Sequence, residues 1–226
     1  MVLENDITAP PPKKFSASYA KLGRARKHIS ELEQVIADHI PKNPIKFGTT
    51  IHSPDGVVTM PFTTPAYPKD APVILGDIIH NCRVSLDLMA SEIAKNKTGS
   101  DVGVYFPFSQ DKKSLRQAIK GKKFSRCGSD AITLLETFSP YKGGNWELRE
   151  LHDLDIMDKH KSLIPDPKLD VNPAIDYEKW EYLPGSEFNY QFTFPEESLF
   201  KGRELVSGSK GLVDLCEDIL DAFASI

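Results

Sequence analysis

Cysteine is scarce in this chain of 226 residues, which contains three. Cys82, Cys127 and Cys216 are widely spaced and form no CxxC pair. The sequence therefore predicts neither a disulfide framework, which needs several pairs, nor a zinc site, which needs closely spaced ligands. A few widely spaced cysteines without a predicted disulfide are typical of proteins in a reducing compartment, so a cytoplasmic protein is expected.

Long apolar runs and an excess of basic charge are missing as well. No apolar stretch approaches the ~18 residues that a helix needs to span a bilayer, so no membrane partner is expected. Lys and Arg number 28 against 32 Asp and Glu, which gives a net charge of −4. That balance argues against a surface built for non-specific binding of duplex DNA and leaves room for a local basic patch. The hydrophobic share of 40% and the charged share of 27% are those of a globular protein.

The commonest catalytic and nucleotide-binding signatures are absent. The chain has no GxGxxG, no GxxxxGK followed by Ser or Thr, no GxSxG and no HExxH. This excludes the usual dinucleotide, nucleotide, serine-hydrolase and zinc-protease motifs, and no cofactor is expected. The pair Gly143-Gly144 ends the segment SPYKGG at 139–144 and predicts a turn rather than a phosphate-binding loop.

Apolar periodicity predicts several helices separated by proline-rich links. Segments 15–40 and 73–96 repeat apolar residues every three or four positions, and a third such segment begins at about residue 210 and runs to 225. Shorter helices are predicted at 114–119, at 129–138 and from the capping residue Asn145 to about Lys159.

Two further segments predict β structure. Residues 45–62 have the pattern of a hairpin around the turn at 53–56, and the segment EFNYQFTF at 187–194 alternates aromatic with polar residues. We therefore expect an α+β fold, with a core of long antiparallel helices and a small antiparallel sheet, in one domain over 15–226. Residues 1–14 contain three successive prolines and predict a flexible arm.

The first candidate site lies in the helical segment GDIIHNCRVSLD at 76–87. On a helical wheel His80, Arg83 and Asp87 share one face, with Arg83 at the border of the apolar stripe, and Asn81 lies next to them in sequence. Two interpretations are open. The segment is either a solvated flank with an Arg83–Asp87 ion pair, or a polar site at the contact between this helix and a neighbour.

The second candidate site is LRELHDLDIMDKH at 148–160. Asp155 and Asp158 fall among leucines on the helical wheel, and a buried carboxylate is costly unless it has a partner. The expected partners are Arg83, His80 and Lys159. The alternative is that the helix ends at Ile156 and both carboxylates face water.

Metal binding is not predicted for this second segment. Two histidines and two aspartates lie within nine residues, but they form no HxH or HxxxH pair, and His160 lies off the face of the others. The predicted polar cluster comprises His80, Asn81, Arg83, Asp87, His152, Asp155, Asp158, Lys159 and His160.

Four segments together resemble an uncharacterised bacterial protein family. They are GDIIHNCRVSLDLMASEIA, FPFS, TFSPYKGG and LHDLDIMDKHKSLI. Members of that family carry a GDxLHNLRSALDHL-like helix, an FP-containing link, a QPY-like turn and a DKHR-like helix end. The resemblance covers about 72–165, and the long first helix at 15–40 agrees with it.

The same helix is similar to the Arg-x4-His arrangement of HEPN-type helical domains, many of which are RNA-cleaving toxins or defence nucleases that act as dimers. The resemblance places the arginine at Arg83 and the histidine position at Leu88. Leucine cannot transfer a proton, so the implied protein is RNA- or nucleotide-associated and non-cleaving, of defence or toxin–antitoxin type. A homodimer is also implied, and the long apolar stripe of the first helix favours one.

Two other functions stay open, so the sequence does not decide whether the chain is an enzyme. One is a small-molecule enzyme that uses His80 or His160 as an acid–base group, with the aspartates orienting it. The other is an interaction module in which the charged cluster only sets helix register. A basic groove beside the cluster would favour nucleic acid, and an enclosed pocket over the histidines would favour the enzyme.

Overall fold

The computed structural model describes residues 14–56, 58–172, 174–183 and 186–226. The helices of this part of the chain are α1 (Ser16–His39), α2 (Ala71–Thr98), α3 (Leu115–Gly121), α4 (Ser129–Phe138), α5 (Trp146–His160) and α6 (Leu205–Ala224). Each helix predicted from periodicity is present, and the long ones match the expected positions to within a few residues at most ends. The predicted arm lies outside the described residues except for Lys14.

Helix α1 lies antiparallel to both α2 and α6. Its first turn meets the end of α2, where the backbone N–H of Phe15 donates to Glu92 Oε1 at 3.0 Å. Along α6 the order also runs in reverse, because Arg26 pairs with Glu217 and Lys210 lies 3.7 Å from Glu33. These contacts confirm the expected core of long antiparallel helices.

The apolar stripe of α1 is covered within the chain. Leu22, Ala25 and Leu32 are fully buried, and they belong to one core together with the apolar faces of α2 and α6. The stripe therefore gives no support to the homodimer that the sequence predicts through this helix.

Helix α6 begins five residues before the position predicted from sequence. The side chain of Glu204 caps it, accepting from the backbone N–H groups of Val206 at 2.8 Å and Ser207 at 2.7 Å. Glycine and serine are weak helix formers, which hides this first turn from a periodicity argument. Gly208 is needed there because a Cβ atom would lie 2.6 Å from Cε2 of Phe194.

The described strands form four separate two-stranded antiparallel ladders rather than the one small sheet expected. They are β1 (Lys46–Phe47) with β4 (Phe62–Thr63), β2 (Ile51–His52) with β3 (Val58–Thr59), β5 (Asp166–Asn172) with β8 (Glu187–Thr193), and β6 (Ile175–Asp176) with β7 (Glu181–Tyr182). The predicted hairpin at 45–62 is present as the first two ladders.

The alternating aromatic strand is β8, and its aromatic face is covered as expected. Phe192 is buried, and the next aromatic residue, Phe194, is buried just beyond the strand. The hydroxyl of Tyr190 donates to the backbone oxygen of Asn43 at 2.9 Å, which ties the strand to the segment after α1. Helices and small antiparallel ladders together make the fold α+β. Within the described ranges no helix is both long and apolar enough to cross a membrane.

Candidate functional site: the polar seam between α2 and α5

Helices α2 and α5 run antiparallel and meet along a row of polar residues, which we call the polar seam. Residues three or four positions apart occupy one face of a helix, so each turn of α2 meets one turn of α5. The facing pairs are Gly76 with Asp158, His80 with Asp155, and Arg83 with His152.

The first turn of α5 is positioned by its predicted cap. The side-chain oxygen of Asn145 accepts from the backbone N–H of Leu148 at 3.0 Å. Ahead of it the chain reverses through the turn at 139–145, where the backbone oxygen of Ser139 accepts from Tyr141 at 2.7 Å and from Asn145 at 2.9 Å. This turn sets the position from which α5 crosses α2.

Asp155 is the centre of the seam and is 3% exposed. Its Oδ1 lies 3.1 Å from Nδ1 of His80, and its Oδ2 accepts from the ammonium group of Lys159. A buried carboxylate with two donors is what the helical wheel predicts, and the prediction that an aspartate here meets His80 or Lys159 is confirmed. The alternative, with both carboxylates in water, is wrong for Asp155.

The side chain of His80 is 48% exposed although its Nδ1 faces a buried carboxylate. An ionised carboxylate only accepts hydrogen bonds, so the hydrogen between the two groups belongs to Nδ1 of His80. In the neutral imidazole the other ring nitrogen, Nε2, is the one without a hydrogen, and it lies on the part of the ring that faces away from Asp155. The arrangement therefore presents a basic nitrogen of fixed orientation near the surface.

Asp158 rests directly on the backbone of α2. A Cβ atom at Gly76 would lie 2.3 Å from Oδ1 of Asp158, so only glycine allows this approach. Burial raises the pKa of the Asp158 carboxyl, and the negative charges of Asp155 and Asp77 raise it further. The seam therefore holds two carboxyl groups on neighbouring turns of α5, and its surroundings disfavour the charged form of Asp158.

Arg83 is buried and holds the link between α2 and α3. Its guanidinium lies 2.7 Å from Asp87 Oδ1, donates to the backbone oxygen of Phe106 at 3.3 Å, and sits 4.6 Å from the ring centre of Phe108. Asp87 in turn accepts from the backbone N–H of Phe106 at 2.8 Å. The predicted Arg83–Asp87 pair is confirmed, but Arg83 is packed inside rather than on a solvated flank.

His152 also packs against Phe108. The two rings stack in parallel, with an angle of 4° and 4.6 Å between their centres. Burial, together with the positive charges of Arg83 and Arg149, lowers the pKa of His152 to about 4. His152 therefore stays neutral in the fold at mildly acidic pH, where a histidine in water takes up a proton.

This low pKa makes the folded protein sensitive to acid. An unfolded histidine takes up its proton near pH 6.5, whereas His152 does so only near pH 4 in the fold, so the unfolded state binds more protons between these values. Stability is therefore lost as the pH falls through this range. We expect a loss of about 1 to 2 kcal/mol from His152 between pH 7 and pH 5, since partial exposure weakens the effect.

The variant His152→Phe keeps the ring stack on Phe108 and cannot titrate. Urea unfolding at both pH values should therefore show a smaller drop in this variant than in the wild type. An equal drop in the two proteins would contradict a neutral His152 in the fold.

Two of the predicted cluster residues lie apart from the seam. Asn81 turns back on its own helix, where its amide donates to the backbone oxygen of Asp77 at 2.7 Å. His160 lies on the opposite side of α5, beside Asp153, in an open depression of about 460 Å³. The single cluster predicted from sequence is therefore wrong for these two residues, and the others divide between the central pair and the Arg83 group.

The sequence argument missed three contributors to the seam. Gly76 was part of the quoted motif, but its role as a contact surface for Asp158 depends on the opposing helix. Phe108 contacts both the Arg83 guanidinium and the His152 ring, and it lies in a link without the apolar periodicity that would have predicted these contacts. Arg149 is buried and bonded to Asp153, for which their i,i+4 spacing is the available signal.

Metal chemistry has no arranged ligand set in the described residues, where no group of three or more His, Cys, Asp or Glu side chains is placed to hold an ion. Comparison of the chain with protein-family models, curated proteins and solved structures gives no match. Its function is therefore argued from the geometry of the seam.

Proposed function

We propose that the chain is an enzyme in which His80 acts as a general acid–base group toward a small polar substrate, oriented by Asp155. The observation that carries this proposal is the contact between a half-exposed imidazole and a carboxylate that is 3% exposed, at 3.1 Å. A buried carboxylate on one ring nitrogen is the usual way in which a catalytic histidine is held in one tautomer and one orientation.

The neighbouring groups support proton transfer at this place. Lys159 shares the carboxylate of Asp155, so a positive charge stays beside the imidazole in either of its protonation states. Asp158 lies one turn away with a raised pKa, and it offers a second group that exchanges protons closer to neutrality than an ordinary aspartate does. Pairs of groups with separated proton affinities are typical of acid–base sites.

The charge around His80 gives RNA little to bind. Besides His80 itself, the charged side chains that act on Asp158 here are Asp155, Asp77 and Lys159. Carboxylates outnumber the single ammonium group, and a negative potential repels a phosphate backbone. Arg83, the arginine of the HEPN-like arrangement, is occupied by Asp87 and by the 106–108 link. The non-cleaving, RNA- or nucleotide-associated function stays a prediction.

An interaction module would use the same contacts only to set helix register. In that case the proton-transfer capacity of His80 has no role, and any side chain that donates to Asp155 would serve equally well. Asparagine is such a side chain, because its amide nitrogen occupies the position of Nδ1 but it offers no basic nitrogen in place of Nε2. The variant His80→Asn therefore separates the two functions.

The experiment compares wild type, His80→Asn and His52→Asn in the hydrolysis of nitrophenyl acetate and nitrophenyl phosphate. His52 is an exposed histidine on β2 and serves as the matched control. We expect the rate with the preferred ester to fall roughly 100-fold or more in His80→Asn, to stay unchanged in His52→Asn, and the melting temperatures to stay within a few degrees.

Labelled single-stranded RNA is the contrasting substrate. It should remain uncut by the wild type, which has no histidine at position 88. It should also remain uncut by Leu88→His, because Arg83 is already paired with Asp87. Equal rates for wild type and His80→Asn on both esters would overturn the acid–base proposal. Cleavage of RNA by the wild type would contradict the non-cleaving function that the HEPN-like resemblance implies.

A further inference from the structure

The face of α5 opposite the polar seam carries apolar side chains at the surface. Ile156 is 41% exposed and Ile164, just after the helix, is 47% exposed. Together with Met157 they line the open depression of about 460 Å³ that also contains His160. Large apolar side chains grouped in this way on an outer face are typical of an interaction surface.

The depression has the geometry of a packing site for another helix. Asp153, Ile156, Met157 and His160 line it, and they stand at positions i, i+3, i+4 and i+7 of α5. Four residues at this spacing lie on one face of a helix, where a facing helix can pack against them. On this face two apolar residues lie at the centre, with one polar residue at each end.

The same face of a second α5 helix matches this pattern. The centre of the face lies between Ile156 and Met157, with Asp153 and His160 at equal distances on either side. In an antiparallel pair of α5 helices related by a two-fold axis at this centre, Ile156 faces Met157 of the second copy. Asp153 then faces His160 of the second copy, so an acidic residue meets a basic one twice in the interface.

Two further charged residues, Lys161 and Glu197, line the depression and add one group of each sign. Asp153 is held by Arg149 but keeps its carboxylate 38% exposed, so it is available to a second partner. A surface with both signs placed on opposite sides of an apolar centre is complementary to itself.

We propose that this face of α5 binds the same face of a second copy of the chain, in an antiparallel, two-fold symmetric dimer. This interface differs from the one predicted through α1, whose apolar stripe is covered by α2 and α6. It is also independent of the proposed chemistry at His80, because the seam and this face lie on opposite sides of α5.

Light scattering at micromolar concentration is the first test, with an expected mass of twice the 25.2 kDa of one chain. The variant Ile156→Glu should give one chain mass, because it places a carboxylate at the centre of the interface twice. Val73→Glu is the matched control, since Val73 is an exposed apolar residue of α2, and it should remain a dimer.

A cysteine at position 156 tests the geometry directly. The three native cysteines are buried, so mild oxidation of Ile156→Cys should link two chains, while Val73→Cys should stay unlinked. A wild-type mass of one chain would overturn the proposal. A dimer that survives Ile156→Glu and fails to link through position 156 would also overturn it, because the interface would then lie elsewhere.

Discussion

The variant Arg83→Ala is expected to lower the free energy of unfolding by about 3 kcal/mol, because it leaves a partly buried carboxylate without its cation. Arg83 is 7% exposed and makes three kinds of contact at once: the ion pair with Asp87, the hydrogen bond to Phe106 and the stack on Phe108. Its loss also removes the hydrogen bond to Phe106 and the ring contact with Phe108 that it contributes between α2 and the link at 104–108. Urea unfolding at pH 7 measures the effect.

Arg116 provides the control for this measurement. It is an exposed arginine on α3, and Arg116→Ala should change stability by less than about 0.5 kcal/mol. The double variant Arg83→Ala with Asp87→Ala should recover part of the loss, since it removes the uncompensated charge as well. Equal effects of Arg83→Ala and Arg116→Ala would show that the buried guanidinium contributes nothing beyond a surface charge.

The variant Gly144→Ala is also expected to cost about 3 kcal/mol, because the added methyl group has no room. A Cβ atom there would lie 2.4 Å from the backbone oxygen of Ser139, 2.8 Å from the ring of Tyr141 and 2.9 Å from Cβ of Ser139. The nearest atom belongs to the backbone and cannot rotate away. Relief would require opening the turn that positions α5, so thermal unfolding should report a clear loss.

Gly23 gives the opposite expectation for the same chemical change. It lies inside α1, and nothing stands within 4 Å of the position that a Cβ atom would occupy. Gly23→Ala should therefore raise stability by about 0.5 to 1 kcal/mol, since alanine loses less backbone entropy on folding. Two variants with the same sign of effect would contradict the packing of the turn at 139–145.

The sequence predicted those features of the candidate site that depend on the face of a single helix. The wheel of α5 places Asp155 among leucines, and this suffices to predict a buried carboxylate that needs a donor. The predicted cluster also included His160, whereas the structure places that residue on the opposite side of α5, beside Asp153. The choice of His80 rather than Arg83 as the partner of Asp155 depends on how α2 and α5 are offset, which neither wheel contains.

Helices α1 and α2, the cap of α5 at Asn145 and the alternation of β8 follow from the sequence by itself. They rest on contacts between residues a few positions apart, where periodicity and capping chemistry are enough. The tertiary structure alone decided the division of the strands into four ladders and the close approach of Asp158 to Gly76. The physical reason is that local patterns determine which face of an element is apolar, while the residues that cover that face come from distant parts of the chain and are set by packing of the whole core.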